Sequence, residues 1–395
     1  MVAVAEQDRA VIIVGGGIEG LSIARALAAR GVGPVTLLER AHLASGMTSK
    51  SSGVVRCHYG VESLAAMAWR SVGILEDLGM AAGFRQVGYV VGVGEQNTVA
   101  LKANVATQQA LGIEVELIDH GKAAELWPHA KLDDFAGFAY EPRGGYGDGY
   151  QTAQSFASQA KDLGAELRRK TAVESLVHSA GEITGVALAD GSVIRAPKVV
   201  VAAGMHSSAL MQPLGIAVPL RAQLAPIFLV DPGQRTGAIP VLSDLVSLQY
   251  VRPDGAGSLL MGGSDHNNPT WVDPDRYPTG PTWAHMSDAL SKFEYRFPKL
   301  TGASVVSSYT GYYDVTPDYN PVISATPIAG LYLAAGFSGH GYKISPAVGE
   351  LMADLICCGE SQYPGIDHKD FQLQRFVEKR PLLSPHPYVG AGEMR

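Results

Sequence analysis

Residues 11–21 read Val11-Ile12-Ile13-Val14-Gly15-Gly16-Gly17-Ile18-Glu19-Gly20-Leu21, an apolar run followed at once by closely spaced glycines. A short run that is apolar throughout predicts a parallel strand buried on both faces. Gly15 allows a tight turn, Gly17 lets the backbone approach a pyrophosphate at a helix N-terminus, and Gly20 lets helix and strand pack closely. The stretch therefore predicts the first strand, turn and helix of a dinucleotide-binding βαβ unit.

A carboxylate at the end of the next strand strengthens this prediction. Residues 18–30 are rich in alanine with helical apolar spacing, and Gly31 stops the helix. The apolar run Val35-Thr36-Leu37-Leu38 then ends in Glu39. An acid about twenty residues after the glycines accepts hydrogen bonds from a ribose hydroxyl, and it disfavours the 2′-phosphate of NADP.

The composition limits the classes of protein to which the chain can belong. Its 395 residues predict about two to three domains. The net charge of −7, without a basic cluster, argues against a nucleic-acid partner. The three cysteines fit neither a disulfide framework nor a metal site. No apolar run has the length of a membrane span and residues 1–10 lack the pattern of a secretory leader, so we expect a cytoplasmic protein.

The end of the chain returns to the pattern of its beginning. Residues 330–336 form a short apolar run, residues 337–342 a glycine-rich turn, and residues 343–358 a helical pattern. Several strand-like runs between residues 218 and 267 indicate an antiparallel sheet. We predict an α/β protein (α+β overall). Its Rossmann-like nucleotide domain is discontinuous and takes residues 1–85, 149–217 and 304–370, and an inserted antiparallel-sheet substrate domain takes residues 86–148 and 218–303.

Four separated motifs then point to a family. They are the glycine fingerprint with Glu39-Arg40, residues 45–59 (Ser45-Gly46-Met47-Thr48-Ser49-Lys50-Ser51-Ser52-Gly53-Val54-Val55-Arg56-Cys57-His58-Tyr59), residues 199–204 (Val199-Val200-Val201-Ala202-Ala203-Gly204), and residues 336–343 (Gly336-Phe337-Ser338-Gly339-His340-Gly341-Tyr342-Lys343). Nearly the whole chain resembles the flavin-dependent amine oxidoreductases grouped around D-amino acid oxidase. It is most similar to sarcosine oxidases, glycine oxidase and dimethylglycine dehydrogenase, and the last motif is the most specific of the four.

The resemblance implies FAD, rather than NAD, as the cofactor of the discontinuous domain. Residues 45–53 would wrap the pyrophosphate and the flavin edge, Val173 would lie near the adenine, and residues 336–341 would line the pyrimidine end of the flavin. The cofactor-binding residues implied are Gly15, Gly17, Ile18, Gly20, Glu39, Arg40, Ser45, Thr48, Ser49, Ser51, Ser52, Gly53, Val173, Ala203, Gly204, Gly311, Gly336, Phe337, Ser338, Gly339, His340, Gly341 and Lys343.

The same resemblance implies a set of catalytic and substrate-binding residues. Arg56 matches the arginine that holds the substrate carboxylate, a task that suits a planar guanidinium fork. Lys343 would help to clamp that carboxylate and, with a helix N-terminus, stabilise the negative charge of reduced flavin. For His340 and His266 the alternatives are a buried histidine bonded to backbone and a strand-end residue. The full set is Arg56, Tyr59, His340, Lys343, His266, Tyr250 and Tyr313, with Tyr312 as a further part of an aromatic wall.

Two departures from the family pattern bear on the chemistry. Gly311 stands where some members carry a flavin-linking cysteine, and Met47 or Thr48 stands where others carry a linking histidine, so we expect non-covalent FAD. Gly262 stands where monomeric sarcosine oxidases place a lysine near the flavin. A cation there promotes electron transfer to O₂. Its absence leaves open whether the acceptor is O₂ or another electron acceptor.

The expected reaction is a two-electron oxidation of the C–N bond of an amino acid, most simply a secondary or tertiary N-methyl or cyclic amine. A hydride would move to flavin N5 and the resulting imine would hydrolyse. One alternative is oxidation of a 2-hydroxy acid, with His340 or His266 as the base. Another is a flavin-binding subunit of a hetero-oligomer. The partners expected are a small-molecule substrate and an electron acceptor, with homo- or hetero-oligomeric assembly left open.

Overall fold

The computed structural model describes residues 10–255 and 257–390. Residues 1–9, on which the expectation of no leader rests, lie outside this range. The strands are β1 (Val11–Val14), β2 (Val35–Leu38), β3 (Val54–Val55), β4 (Tyr89–Val93), β5 (Glu116–Ile118), β6 (Gly137–Glu141), β7 (Gly145–Tyr146), β8 (Glu166–Arg168), β9 (Val173–Ser179), β10 (Glu182–Leu188), β11 (Val193–Arg195), β12 (Lys198–Val201), β13 (Arg221–Asp231), β14 (Val241–Asp244), β15 (Gln249–Asp254), β16 (Ser258–Gly263), β17 (Trp271–Val272), β18 (Ser304–Val315), β19 (Val322–Ala325) and β20 (Leu331–Ala335). The helices are α1 (Ile18–Ala29), α2 (Glu62–Leu78), α3 (Thr98–Ala110), α4 (His120–Leu126), α5 (Gly149–Asp162), α6 (Ser207–Met211), α7 (Trp283–Arg296), α8 (Gly341–Cys358) and α9 (Gln374–Val377).

The chain divides into two compact units, each built from separate segments. The first takes the described residues of 1–49, 149–222 and 313–382, and the second those of 50–148, 223–312 and 383–395. These boundaries differ from the predicted ones. Residues 50–85 lie in the second unit, where β3 pairs with β7. Residues 304–312 also lie there, because β18 pairs with β13. That the first unit holds FAD and the second the substrate stays a prediction.

The first unit contains a sheet in the order β19-β20-β12-β1-β2-β8. Every neighbouring pair is parallel except β19 with β20. Val14, at the end of β1, pairs with Val201 on one side and Leu38 on the other. All four residues of β1 are buried, as the unbroken apolar run predicts. This sheet confirms the Rossmann-like fold. A separate antiparallel sheet, β11-β10-β9, includes a hairpin that turns at Asp190-Gly191.

Two helices from opposite ends of the chain pack together in the first unit. Helix α1 contacts α8 more extensively than any other element, and Gly349 of α8 lies directly against Ser22. A Cβ atom on Gly349 would overlap the Ser22 side chain and come within 2.5 Å of its carbonyl oxygen. The helix predicted over residues 343–358 begins two residues earlier, at Gly341. It ends at Cys358, and its C-cap residue, Gly359, has a left-handed backbone conformation.

The second unit contains a nine-stranded sheet among the described residues. Its order is β17-β13-β16-β15-β14-β4-β6-β5, and β18 pairs with β13. From β13 to β5 in this order the pairing is antiparallel apart from β14 with β4, so the predicted antiparallel sheet is largely confirmed. Strand β13 is continuous through Pro226. Proline interrupts a strand only where its missing N–H is needed, and the next residues, from Ile227 onward, pair with β16.

Helix α7 covers part of this sheet. Its inward face carries Ala289, Phe293 and Arg296, which are buried with Trp127 and Phe138 of the same core. Arg296 is charged in an apolar setting and is paired there with Asp244 at 2.7 Å and Asp134 at 2.7 Å. None of the helices formed by the described residues has the length and apolar character that a membrane crossing requires.

Candidate active site

The glycine turn after β1 leaves no room for side chains at two positions. Gly15 has φ +115°, and a Cβ atom there would overlap the carbonyl oxygen of Ala202. A Cβ on Gly20 would overlap the carbonyl oxygen of Gly15. The same Cβ on Gly15 would lie 3.1 Å from the Cα of Ala203, so the fingerprint and the motif at residues 199–204 meet at the carboxyl ends of β1 and β12. Both glycines are therefore required by close backbone approach.

Glu39 ends β2 and lies beside this turn. Its Oε2 accepts from the backbone N–H of Gly16 at 2.8 Å, and its Oε1 accepts from the N–H of Ala41 at 2.7 Å. A carboxylate has about four acceptor positions, so two remain for the hydroxyls of a ribose. Thr48 lies close by, where its Oγ1 accepts from the N–H of Ile18 at 3.0 Å. The carboxylate predicted from the sequence is thus oriented by backbone at the expected place.

The glycine-rich turn before α8 is organised by Asp314, which the sequence analysis missed. Asp314 Oδ2 accepts from the N–H of Gly336 at 2.8 Å, and its backbone carbonyl accepts from the N–H of Ser338 at 3.1 Å. Burial raises the pKa of Asp314 to about 6, against the opposing effect of the backbone donors. Its position just before Val315-Thr316-Pro317, at the end of a long strand, is the signal that could have drawn attention to it.

His340 and Lys343 open helix α8 and are both buried. His340 Nε2 lies 3.0 Å from the carbonyl oxygen of Tyr319, which is the backbone-bonded arrangement that we weighed against a catalytic role. Lys343 Nζ donates to the carbonyl oxygen of Gly339 at 3.1 Å, which holds the ammonium group at the N-terminal turn of the helix. The catalytic roles of these two residues stay predictions.

Glu19 is a second buried acid that sequence reasoning passed over, although it lies inside the fingerprint. Among the described residues, neither carboxyl oxygen has a hydrogen-bond partner, and a Cβ on Gly341 would lie 2.9 Å from Oε1. Burial, with the nearby Asp314, raises the pKa of Glu19 well above its ordinary value. The side chain, which lies between the beginnings of α1 and α8, therefore holds its proton more tightly than an ordinary glutamic acid does. An acidic residue in the first turn of an otherwise apolar helix was the available signal.

Arg56 lies in the second unit, in the loop after β3. Its side chain is 5% exposed, its guanidinium carbon lies 4.2 Å from the centre of the Tyr59 ring, and it donates to the carbonyl oxygen of His58. The backbone N–H of Cys57 donates to Glu141 Oε2 at 2.7 Å. The structure thus brings together Arg56 and Tyr59, as predicted. A buried, stacked guanidinium has a defined direction, unlike a surface arginine.

Tyr250 and Gly262 face each other across the β15–β16 pair. A Cβ on Gly262 would overlap the Tyr250 hydroxyl, so the phenol fills the space that a side chain at position 262 would take. His266 follows β16 and is buried, with Nδ1 3.0 Å from Nε2 of Gln223. Tyr312 and Tyr313 are neighbours on β18, so their side chains leave opposite faces of the strand. The aromatic wall stays a prediction.

The predicted site residues are divided between the two compact units. The first unit holds Gly15, Gly17, Ile18, Gly20, Glu39, Arg40, Ser45, Thr48, Ser49, Val173, Ala203, Gly204, Tyr313, Gly336, Phe337, Ser338, Gly339, His340, Gly341 and Lys343. The second unit holds Ser51, Ser52, Gly53, Arg56, Tyr59, Tyr250, His266 and Gly311. In the second unit, Gly53 has φ +70° and its missing Cβ would overlap the carbonyl oxygen of Gly147.

The comparison with known families decides the class of protein. A model of the family described as DAO, FAD dependent oxidoreductase, matches residues 10–355. The chain belongs to this FAD-dependent oxidoreductase family. The resemblance to sarcosine and glycine oxidases is confirmed by relatives and structures of those names. The protein is an FAD-dependent oxidoreductase.

Two relatives and one solved structure show what the chain is similar to within this family. It is 28% identical to 4-methylaminobutanoate oxidase (formaldehyde-forming) of Paenarthrobacter nicotinovorans, over 97% of this chain and 48% of that protein. It is 25% identical to sarcosine oxidase subunit beta of Rhodobacter capsulatus, over 93% of this chain and 88% of that subunit. The chain thus spans about half the length of the first relative. The crystal structure of L-proline dehydrogenase from P. horikoshii superposes with a TM-score of 0.86 at 28% identity, covering 94% of this chain and 98% of that one.

The residues of the first unit fit FAD. The N-cap residues of α1 and α8, Gly17 and His340, make no side-chain cap hydrogen bond to their own helix, which suits backbone N–H groups that face an anion. In α1, Thr48 accepts from the N–H of Ile18. The turn at Gly15–Gly17 and the N-terminus of α1 would hold the pyrophosphate, and Glu39 the adenosine ribose. The N-terminus of α8, with Lys343, would face the pyrimidine end of the flavin. Glu19 adds no negative charge to this set while it keeps its proton.

Proposed function

We propose that this protein oxidises a secondary amine that carries a free carboxylate, either an N-methyl amino acid or a cyclic one. The observation that carries the proposal is the buried Arg56, stacked on Tyr59 and held by a backbone carbonyl. A guanidinium in that setting can pair with one carboxylate in a defined orientation. The orientation matters because a clamp at the carboxylate directs the neighbouring C–N bond.

The relatives support the same class of substrate. The compounds in their names, 4-methylaminobutanoate, sarcosine and L-proline, each contain a secondary amine and a carboxylate. The first two are N-methyl amines and the third is cyclic. The shared chemistry, rather than any one of these compounds, is what we assign to this chain.

Each group of the chain has a distinct task in the proposed reaction. FAD, when bound, would supply the acceptor for the hydride that leaves the C–H bond beside the amine nitrogen, and the resulting iminium ion would hydrolyse in water after release. Arg56 binds the carboxylate, and Tyr59 keeps the guanidinium in its plane. Lys343 supplies positive charge at the start of α8 for the charge that develops on reduction. No strong base is required when the amine binds in its neutral form.

We further propose that FAD is held without a covalent bond. Gly311 lacks the thiol that links flavin in some relatives, and Met47 and Thr48 lack an imidazole. Acid precipitation of the purified protein should therefore leave the yellow colour in the supernatant. A pellet that stays yellow and fluoresces after electrophoresis in denaturant would contradict this expectation.

A second role is favoured by the similarity to a protein named as a subunit. In that case the chain would act within a hetero-oligomer and would transfer electrons to a partner. Light scattering of the purified chain, together with turnover by the chain alone, separates the two. Flavin reduction by an amine without a partner supports independent chemistry at this chain's own site.

Anaerobic titration of the purified yellow protein tests the proposal directly. The panel contains sarcosine, 4-methylaminobutanoate, L- and D-proline, primary amino acids and 2-hydroxy acids, followed by air. Bleaching by secondary amines alone supports the proposal, and recolouring in air then identifies O₂ as an acceptor. Bleaching by 2-hydroxy acids and not by amines would overturn it. The Arg56→Ala variant should lose most of its response to amines with a carboxylate and keep its bound FAD.

A further inference from the structure

The end of the described chain lies against α3 in the second unit. We name residues 383–390 the C-terminal strap. Two buried asparagines of α3 and its preceding turn hold its backbone. Asn97 Nδ2 donates to the carbonyl oxygen of Val389 at 3.1 Å and its Oδ1 accepts from the Val389 N–H at 2.8 Å, while Asn104 Nδ2 donates to the carbonyl oxygen of His386 at 3.1 Å. Asn97 and Asn104 are each 1% exposed, so the position of the strap is specified by buried hydrogen bonds.

One side chain of the strap reaches the loop that carries Arg56. The hydroxyl of Tyr388 lies 2.7 Å from Nε2 of His58, and the two rings are stacked with centres 5.8 Å apart. Both side chains are buried, at 3% and 0% exposure. Burial and the nearby Arg56 lower the pKa of His58 to about 3, and burial raises the pKa of Tyr388 well above its ordinary value. The bond therefore joins a neutral imidazole to a neutral phenol.

Charged and titratable groups surround this pair. His58 Nδ1 lies 3.9 Å from Glu141 Oε1, and burial raises the pKa of Glu141 to about 7. Arg56 is the neighbouring cation, and Tyr89 is the other phenol near Tyr388. The Tyr388 hydroxyl can donate to a bare Nε2 or accept from a protonated one, so the bond between the two side chains forms with either neutral tautomer of His58.

The link continues from His58 to the guanidinium. The carbonyl oxygen of His58 accepts from Arg56, and Arg56 stacks on the Tyr59 ring. Gln108 of α3 donates to the carbonyl oxygen of Tyr59 at 3.2 Å. The backbone of residues 56–59 is thus held by α3 at one end and by the strap, through the imidazole, in its middle.

We propose that the C-terminal strap completes the carboxylate-binding site, with Tyr388 and His58 as positioning residues that set the direction of the Arg56 guanidinium. The inference rests on the proposed function, in which Arg56 binds the substrate carboxylate. The strap lies beyond residue 355, where the match to the family model ends.

Carboxylate binding to the holoenzyme tests the proposal without turnover. Acetate is titrated while the absorbance of the bound flavin is followed, and KM and kcat are measured with the best secondary amine. In Tyr388→Phe we expect the Kd for acetate and the KM to rise about tenfold, as the loss of one orienting hydrogen bond predicts. The kcat should stay within about twofold, because a residue that acts on binding changes KM.

A pair of substitutions at His58 separates positioning from packing. The amide nitrogen of glutamine reaches the place of Nε2, whereas the amide of asparagine reaches only that of Nδ1. His58→Gln should therefore retain most of the acetate affinity, and His58→Asn should lose as much as Tyr388→Phe. Equal losses in both His58 variants would mean that packing alone matters and would overturn the proposal. These variants also test it should Tyr388→Phe fail to fold.

A double-mutant cycle distinguishes this proposal from the proposed function. In the Arg56→Ala background, Tyr388→Phe should have no further effect on acetate binding. Additive losses would overturn the strap's role through Arg56. If Arg56→Ala weakens acetate binding and Tyr388→Phe does not, only the strap proposal fails. If Arg56→Ala binds acetate as the wild type does, the carboxylate clamp itself is wrong. Tyr295→Phe, at an exposed tyrosine of the same unit, is the matched control and should change nothing.

Discussion

Gly20 illustrates how a single residue determines whether the nucleotide site can form. Its Cα approaches the Gly15 carbonyl so closely that any Cβ would overlap the oxygen. The opposing atom is backbone in a buried strand turn, so it cannot move away as a flexible side chain could. The requirement at this position is therefore steric, and it acts on the turn that we expect to hold the pyrophosphate.

We expect Gly20→Ala to weaken FAD binding by at least about tenfold and to lower the melting temperature, because the turn must shift to admit the methyl group. The ratio of flavin to protein absorbance measures the first effect and a thermal scan the second. Gly73→Ala is the control. Gly73 lies within α2 with no atom within 4 Å of its missing Cβ, so alanine should stabilise that helix by about 0.5–1 kcal/mol. Full FAD content in Gly20→Ala would contradict the steric argument.

Glu19 makes a prediction about pH. Its pKa is raised in the folded state, so the folded chain binds this proton more tightly than the unfolded chain. The free energy of unfolding therefore falls as pH rises above the ordinary value of 4.5. Glu19→Gln cannot titrate, so it should raise the melting temperature at pH 8 by at least about 2 °C relative to wild type, and by less at pH 5.

A control accompanies this measurement. Asp314 remains in the variant and is coupled to Glu19, so the difference between the two proteins reports the titration of Glu19 together with that coupling. Glu174→Gln, at an exposed residue of β9, should shift the melting temperature by the same small amount at both pH values. A lower melting temperature for Glu19→Gln at both pH values would mean that the carboxylate is charged and bonded in the folded protein.

At the scale of elements, the β15–β16 pair explains the departure at Gly262. The registered partner of Gly262 is Tyr250, and its hydroxyl fills the place of the missing side chain. The glycine at position 262, where monomeric sarcosine oxidases have a lysine, is therefore linked to the tyrosine at position 250 on the neighbouring strand. A glycine on one strand is matched by a large aromatic residue on the other, as cross-strand packing requires.

We expect Gly262→Lys alone to lower the melting temperature without faster reaction of the reduced flavin with O₂, since the new side chain overlaps Tyr250. Gly262→Lys combined with Tyr250→Ala should reoxidise at least about tenfold faster than Tyr250→Ala alone, because a nearby cation stabilises superoxide. Stopped-flow mixing of photoreduced enzyme with air-saturated buffer measures the rate. A stable Gly262→Lys single variant with fast reoxidation would contradict the overlap.

At the scale of the whole molecule, each unit is assembled from distant segments. The sheet of the first unit places β1 between β2 and β12, and β20 beyond β12, so neighbours in space come from the beginning, middle and end of the chain. FAD that binds this unit should couple those segments. Helices α1 and α8 are in contact, and we expect the N-termini of both to face FAD. Packing between these two helices can therefore transmit the effect of binding from one segment to the other.

Hydrogen–deuterium exchange on adding FAD to the apoprotein tests the assignment of the two units. We expect protection at residues 13–20, 39–44 and 336–345 together, since a ligand that binds the folded unit suppresses its opening. Strands β5 and β6 of the second unit serve as the internal control and should change little. Protection that is strongest in those strands would mean that the first unit is not the FAD domain.

Some features of this protein were determined by its sequence alone. The strand, turn and helix at residues 11–29 and the carboxylate at Glu39 are local, because glycine geometry and a buried apolar run act within a few residues. The family motifs are equally short and specified the cofactor. The bounds of the compact units differ from the predicted domain bounds, because no local pattern in the sequence shows that β3 pairs with β7 or β18 with β13. Only the tertiary structure decided that Glu19 is a buried acid with no hydrogen-bond partner within residues 10–255 and 257–390, that Tyr250 fills the space at Gly262, and that Tyr388 bonds His58 across 330 residues of sequence. Residues so far apart in the sequence come into contact only when the chain folds, and no local sequence pattern predicts such a contact.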